Sequence, residues 1–145
     1  MSLFNLLSVS ASGMSAQRKR AELLVENMAN AETTRTPEGG PYRRKDAIFE
    51  SDPQSSPFGV AFQRELRNGP AGVKVAEIVE DTREPERRYQ PNHPDADEKG
   101  YVAYPNINPA EDMVDLLNAT RSYHGNVSAM QAVKDMLHRS IDLMK

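Results

Sequence analysis

The chain contains no cysteine, which excludes disulfides, thiolate metal sites and a cysteine nucleophile together. It also lacks tryptophan. Aromatics make up 6% of it and hydrophobic residues 38%, and the mean hydropathy is -0.68, so bulky apolar material for an interior is scarce. A length of 145 residues is one domain's worth of sequence, and with so thin a supply much of the burial is expected to come from partner chains. A strong charge of one sign is missing as well. The formal net charge of -3 and pI near 5.6 give no electrostatic footprint for nucleic acid or anionic lipid. No stretch approaches the roughly 18 consecutive apolar residues of a membrane span, so direct membrane insertion is not expected. The first basic residue is Arg18, and Leu3, Phe4, Leu6 and Leu7 are interrupted by Asn5 and Ser8, unlike the pattern of a signal peptide. If the chain leaves the cytoplasm, the expectation is export without a cleaved leader.

Proline is absent from both ends. All ten prolines lie between Pro37 and Pro109, with six of the eight glycines, and these breakers divide the chain into three. In the first arm Leu3, Leu7, Met14, Ala21, Leu24, Met28 and Ala31 recur at spacings of three, four and seven, which predicts a helix with one apolar stripe. At 1.5 Å per residue such a helix would be roughly 45 Å long. The second arm opens on a start signal: Asn108 as N-cap, Pro109 at the first helical position and Glu111 placed for a capping box. Met113, Leu116, Tyr123, Val127, Met130, Leu137, Ile141 and Met144 then keep a heptad rhythm. The expected division is a helical core from residues 1–31 and 108–145, with residues 32–107 as an insertion.

The fold class expected is mainly α, the two terminal helices pairing as an antiparallel coiled coil around a small β-rich, loop-rich insertion. One heptad-compatible register stacks Met28 with Leu116, Ala21 with Tyr123, Met14 with Met130, Leu7 with Leu137 and Leu3 with Ile141. Gly13 and Gly125 come to similar heights. Gln17 and Ser10 fall in the seam, and Ser8, Ser10, Ser12, Ser15 and Gly13 weaken the first helix, so the pair is expected to need its neighbours. Within the insertion, Tyr42–Phe49 and Val73–Val79 are β-prone, with a shorter run at Tyr101–Tyr104. Thr36–Pro41, Ser51–Gly59 and Thr82–Gly100 read as loops, and the whole as one small twisted β unit.

Chemistry-bearing patterns are few. His93-x-Asp95-x-Asp97 offers too few ligands for a metal cage, with no further His or Cys near it, and reads as a surface turn. Gly69-Pro70-Ala71-Gly72 lacks the lysine and following helix of a phosphate loop. Asp81 with Glu84 or Glu86 could be cast as a glycosidase pair, but proximity in a charged loop supplies no geometry. The basic triplets Arg18-Lys19-Arg20 and Arg43-Arg44-Lys45 read as solvated faces or contacts between subunits. His124 and His138 read as surface or interface residues. No catalytic residue, cofactor, metal or small-molecule substrate is indicated.

Certain segments carry a resemblance. Asn27-Met28-Ala29-Asn30-Ala31 with Thr33-Thr34 resembles the N-terminal signature of the bacterial flagellar rod and hook axial proteins. Gly39-Gly40-Pro41-Tyr42-Arg43-Arg44-Lys45, His93-Pro94-Asp95-Ala96-Asp97, Gly100-Tyr101-Val102 and Tyr104-Pro105-Asn106-Ile107-Asn108 are similar to the proximal-rod C type within that group, as are Glu111-Asp112-Met113-Val114 and Arg121-Ser122-Tyr123. Glu32 and the pair His124-Gly125 depart from the usual pattern. The resemblance implies a structural subunit of the periplasm-spanning rod, exported by the flagellar type III route. It also implies contacts with itself, with other rod subunits, with an adaptor to the inner-membrane ring and with a rod-capping factor. The competing expectations are a soluble coiled-coil adaptor that binds a partner transiently and, more remotely, a cell-wall hydrolase.

Overall fold

The computed structural model describes residues 3–52 and 71–143. Residues 53–59 of one expected loop, Gly69-Pro70 and Met144 lie outside the described residues.

Helix α1 spans Leu3–Ala29 and helix α2 spans Pro109–Asp142. The start of α2 follows from its first residues: the Asn108 side chain accepts from the Ala110 N–H at 3.2 Å, and Pro109 sits where a missing N–H costs nothing. Glu111 and Asp112 in the first turn suit the positive end of the helix. Neither helix is long and apolar enough to cross a membrane.

The helices pack against each other along their lengths. Gly13 lies beside Asn126, where a Cβ would come within 3.0 Å of the amide, and farther along α1 the Arg20 Nη2 reaches the Asp115 carboxylate at 3.3 Å. Contacts that advance on one helix retreat on the other, so the pair is antiparallel. Asn126 is the neighbour of Gly125, so the two glycines do stand at similar heights. The pairing of Met14 with Met130 would instead have set Gln131 level with Gly13. The helices are therefore offset from that register by a little more than one turn. A heptad pattern permits several registers; here the close approach at Gly13 selects one.

Four strands follow α1: β1 Lys45–Asp52, β2 Gly72–Glu80, β3 Glu86–Tyr89 and β4 Tyr101–Tyr104. They form two separate antiparallel ribbons, β1 with β2 and β3 with β4, rather than one β unit. Strand β3 falls inside the stretch expected to be loop. All four of its residues are exposed, so it lacks the in-out alternation that marks a strand in sequence. Cross-strand pairing holds it instead: Tyr89 meets the Tyr101 ring edge-on at 5.4 Å, and Arg88 lies 4.8 Å over the Tyr104 ring.

The first ribbon packs on α1, which is thus covered on two sides. Half-buried Ala47 and Phe49 of β1 share a cleft with Leu23 and Leu24 of α1. At the far end of the ribbon the Ser12 hydroxyl accepts from the Val73 N–H at 3.1 Å. The apolar core of the described residues is thin: Ala16, Leu23, Leu24, Tyr42, Val102, Tyr104, Ala119 and Val133. The deepest apolar burial on α1 includes Leu24 of the expected stripe but also Ala16 and Leu23, which lie off it, because the ribbon claims a second face that helix pairing alone does not foresee.

Candidate functional site

The most completely buried side chain among the described residues is polar. Asn27, 0% exposed near the end of α1, holds Lys45 by its backbone, accepting from the Lys45 N–H at 2.9 Å and donating to the Lys45 carbonyl at 2.9 Å. An asparagine side chain sets an N–H donor beside a carbonyl acceptor, as the backbone of a neighbouring strand would. Asn27 therefore starts β1 as though it were a strand residue itself. Its Oδ1 also accepts from the Tyr42 hydroxyl at 3.1 Å. Burial, followed by the charge of Glu26, pushes the Tyr42 phenol well above its ordinary range, so it remains a donor. Glu26 in turn pairs with the Lys45 Nζ at 2.7 Å, and that hydrogen bond holds its carboxyl below the usual carboxylate range.

A second tie reaches α2. The Arg44 Nη2 donates to Asp112 Oδ1 at 2.8 Å, with Asp112 only 1% exposed. Burial pushes the Asp112 carboxyl up, and the Arg44 charge opposes it. Only one of the two carboxylate oxygens is used: Arg44 Nε and Asp112 Oδ2 are buried without a partner among the described residues. The geometry is that of an ion pair kept for position.

The other quoted segments close the same junction. Asn30 ends α1 by donating to the Glu26 carbonyl at 2.9 Å while accepting from the Thr33 hydroxyl at 3.1 Å. Thr34 donates to Asp95 at 2.8 Å, and the Asp95 N–H donates to His93 Nδ1 at 3.1 Å. Gly39 and Gly40, with φ of 94° and 80°, turn the chain back so that the Tyr42 N–H meets the Thr33 carbonyl at 3.1 Å. Segments that are far apart in sequence thus knot the end of α1, the beginning of α2 and the root of the insertion into one polar centre.

The acids weighed for chemistry are occupied singly. Asp81 is chelated by Arg83 through bonds of 2.6 to 3.0 Å. Asp97 accepts from the Lys99 and Tyr101 N–H groups, each at 2.9 Å. Among the described residues no group of three or more acids and histidines converges as a metal site would require.

Of the residues singled out for helix packing, Leu24 is buried, and Leu7, Met14, Ala21, Met28, Leu116, Val127, Met130 and Leu137 are half-buried. Met113 is 61%, Tyr123 37% and Ile141 50% exposed. Leu3 is the first residue of α1. His124 and His138 are exposed. Sequence reasoning missed Ala16, Leu23, Ala119, Val133, Asn27 and Asp112 as interior residues; the signal for the last two was their place in the motifs that carry the resemblance, not hydropathy. Val25, Val114, Leu117 and Leu143 are also large apolar side chains left open to solvent. The chain exposes 10848 Å² in all, whereas a compact monomer of its mass would expose about 7,500 Å².

The described residues form a thinly cored helix pair with a fixed polar root. Comparison with known proteins names the family. The chain is 41% identical to the flagellar basal-body rod protein FlgC of Bacillus subtilis, over the whole of both chains. The chain belongs to the FlgC family of flagellar basal-body rod proteins. It is 38% identical to the FlgC protein of Borreliella burgdorferi and 37% to that of Aquifex aeolicus, covering 100% of this chain and 99% of each relative. A family model described as the flagellar basal body rod FlgEFG protein C-terminal region matches residues 98–143, which hold β4, the Asn108 cap and α2. Full-length coverage means that the match to FlgC proteins runs through the middle of the chain as well as the helices.

Proposed function

We infer that the chain is a structural subunit of the bacterial flagellar rod, polymerising with itself and with other rod subunits into the axial shaft, and that its role is mechanical. Full-length similarity to FlgC proteins carries this reading. The exposed surface supports it: apolar side chains that water covers in the single chain stabilise a polymer once neighbours bury them, at about 25 cal/mol per Å². On this reading the helix stripes from Leu3 to Met28 and from Met113 to Ile141 are the packing elements, and residues 32–107 are an insertion keyed to them by the polar root. The finer placement is the periplasm-spanning segment of the shaft, reached by the flagellar export route. The finer partners are an adaptor to the inner-membrane ring and a rod-capping factor, both implied by the family resemblance.

The test is replacement in the native host. Cells lacking their own copy should regain swimming when given the chain, and basal bodies purified from them should contain it. A purified chain that is fully helical and stable as a monomer, and is absent from basal bodies, would instead point to a soluble adaptor.

A further inference from the structure

Each helix keeps one face uncovered. On α1 the exposed positions Ser15, Arg18, Glu22 and Val25 follow one another at spacings of three and four, and on α2 Val114, Leu117, Arg121, Gly125 and Ser128 do the same. Val25 and Val114 are 50% and 57% exposed. Gly125 is the informative residue. A Cβ built there would meet nothing within 4 Å, so nothing among the described residues requires glycine in mid-helix, where glycine weakens the helix relative to alanine. Gly13, by contrast, is accounted for by Asn126.

We propose that the exposed face of α2 receives the exposed face of α1 from a second copy, antiparallel, with Ser15 of one copy opposite Ser128 of the other. This rests on the rod-subunit reading and names its surfaces. In that register Glu22 stands opposite Arg121, and Arg18 lies over Gly125, whose missing side chain leaves room for the arginine stem. Charge selects the register: displaced by one heptad either way, Glu22 would face Ser128 or Val114 instead. Arg121 makes no ion pair among the described residues, and Glu22, paired only along its own helix with Arg18 and Lys19, stays 48% exposed. The two faces differ, so the contact is head-to-tail and can repeat from copy to copy, as a tube wall requires.

The cysteine-free sequence makes the test clean, because Ser15→Cys and Ser128→Cys introduce the only thiols. The two variants, carrying different tags, are produced together in host cells lacking their own copy. Basal bodies are then isolated and oxidised. The expected product is a disulfide between the two differently tagged chains, at least tenfold above either like-with-like product. It should be lost with Glu22→Arg or Arg121→Glu alone and regained when both charges are exchanged. Motile cells whose basal bodies give no mixed product, a like-with-like product, or a product with a different rod protein overturn the second-copy pairing and leave the rod reading intact. Failure of the unsubstituted chain to enter basal bodies overturns the rod reading, and the pairing with it.

Discussion

Replacing Asn27 with leucine tests whether the polar root holds the fold. The side chains are similar in volume, so little cavity or clash arises, and three hydrogen bonds disappear: those with the Lys45 N–H, the Lys45 carbonyl and the Tyr42 hydroxyl. A buried group left without a partner costs about 1–3 kcal/mol. Tyr42 is 9% exposed and pays nearly all of this, whereas Lys45 is half-buried and water recovers part of its loss. The apolar burial of the new leucine offsets a further share. The net expectation is about 3 kcal/mol, a large part of the 5–15 kcal/mol that typically holds a domain. Urea unfolding followed by circular dichroism should show it as a midpoint lowered by about 1.5–2 M with an unchanged slope. Tyr42→Phe should cost about 1 kcal/mol alone and almost nothing in the Asn27→Leu background, where the hydroxyl is already orphaned. A loss below about 1 kcal/mol for Asn27→Leu, or strict additivity of the two changes, would refute the assignment of Asn27 as the organiser of this root.

Arg44→Met strands the Asp112 carboxylate in a buried site and should cost about 3–5 kcal/mol by the same unfolding assay, with Asp112→Asn in the second position recovering much of the loss. The folded Glu26 carboxyl lies below its ordinary value, so its contribution is present above that value and fades as the pH falls through the lower folded one. Glu26→Gln should therefore flatten the fall in melting temperature on the acid side of about pH 4.5. Asp112 has the opposite sign, its contribution being present at acid pH and lost as the pH rises through its raised folded value, so Asp112→Asn should remove a slope of that sign. Gly125→Ala should stabilise the isolated chain by about 0.5–1 kcal/mol in thermal unfolding, since it adds helix propensity in open space.

Both helices were legible in the sequence, because the distribution of proline and the Asn108-Pro109 start are local signals that no tertiary contact overrides. The register was not. A heptad constrains which face a residue occupies but not how far one helix slides along another, and that is decided by the close approach of Gly13 to Asn126. Strand β3 was invisible because Glu86, Arg87, Arg88 and Tyr89 all face solvent, so partner side chains rather than burial hold it. Asn27 and Asp112 were marked only by resemblance. Hydropathy reads a buried amide or carboxylate as surface, and their partners, Lys45 and Arg44, are distant in the sequence.

The polar root has a consequence for how much the middle of the chain can vary. Asn27 grips Lys45 as the insertion leaves α1, and Asp112 grips Arg44 where α2 begins, so the two crossing points stand side by side at one end of the helix pair. A segment whose ends are pinned together can be lengthened at small cost, about 0.6 kcal/mol for each doubling of a flexible loop. The helices therefore form a fixed chassis, and what hangs beyond the root is free to change in size and shape without altering how the chassis stacks.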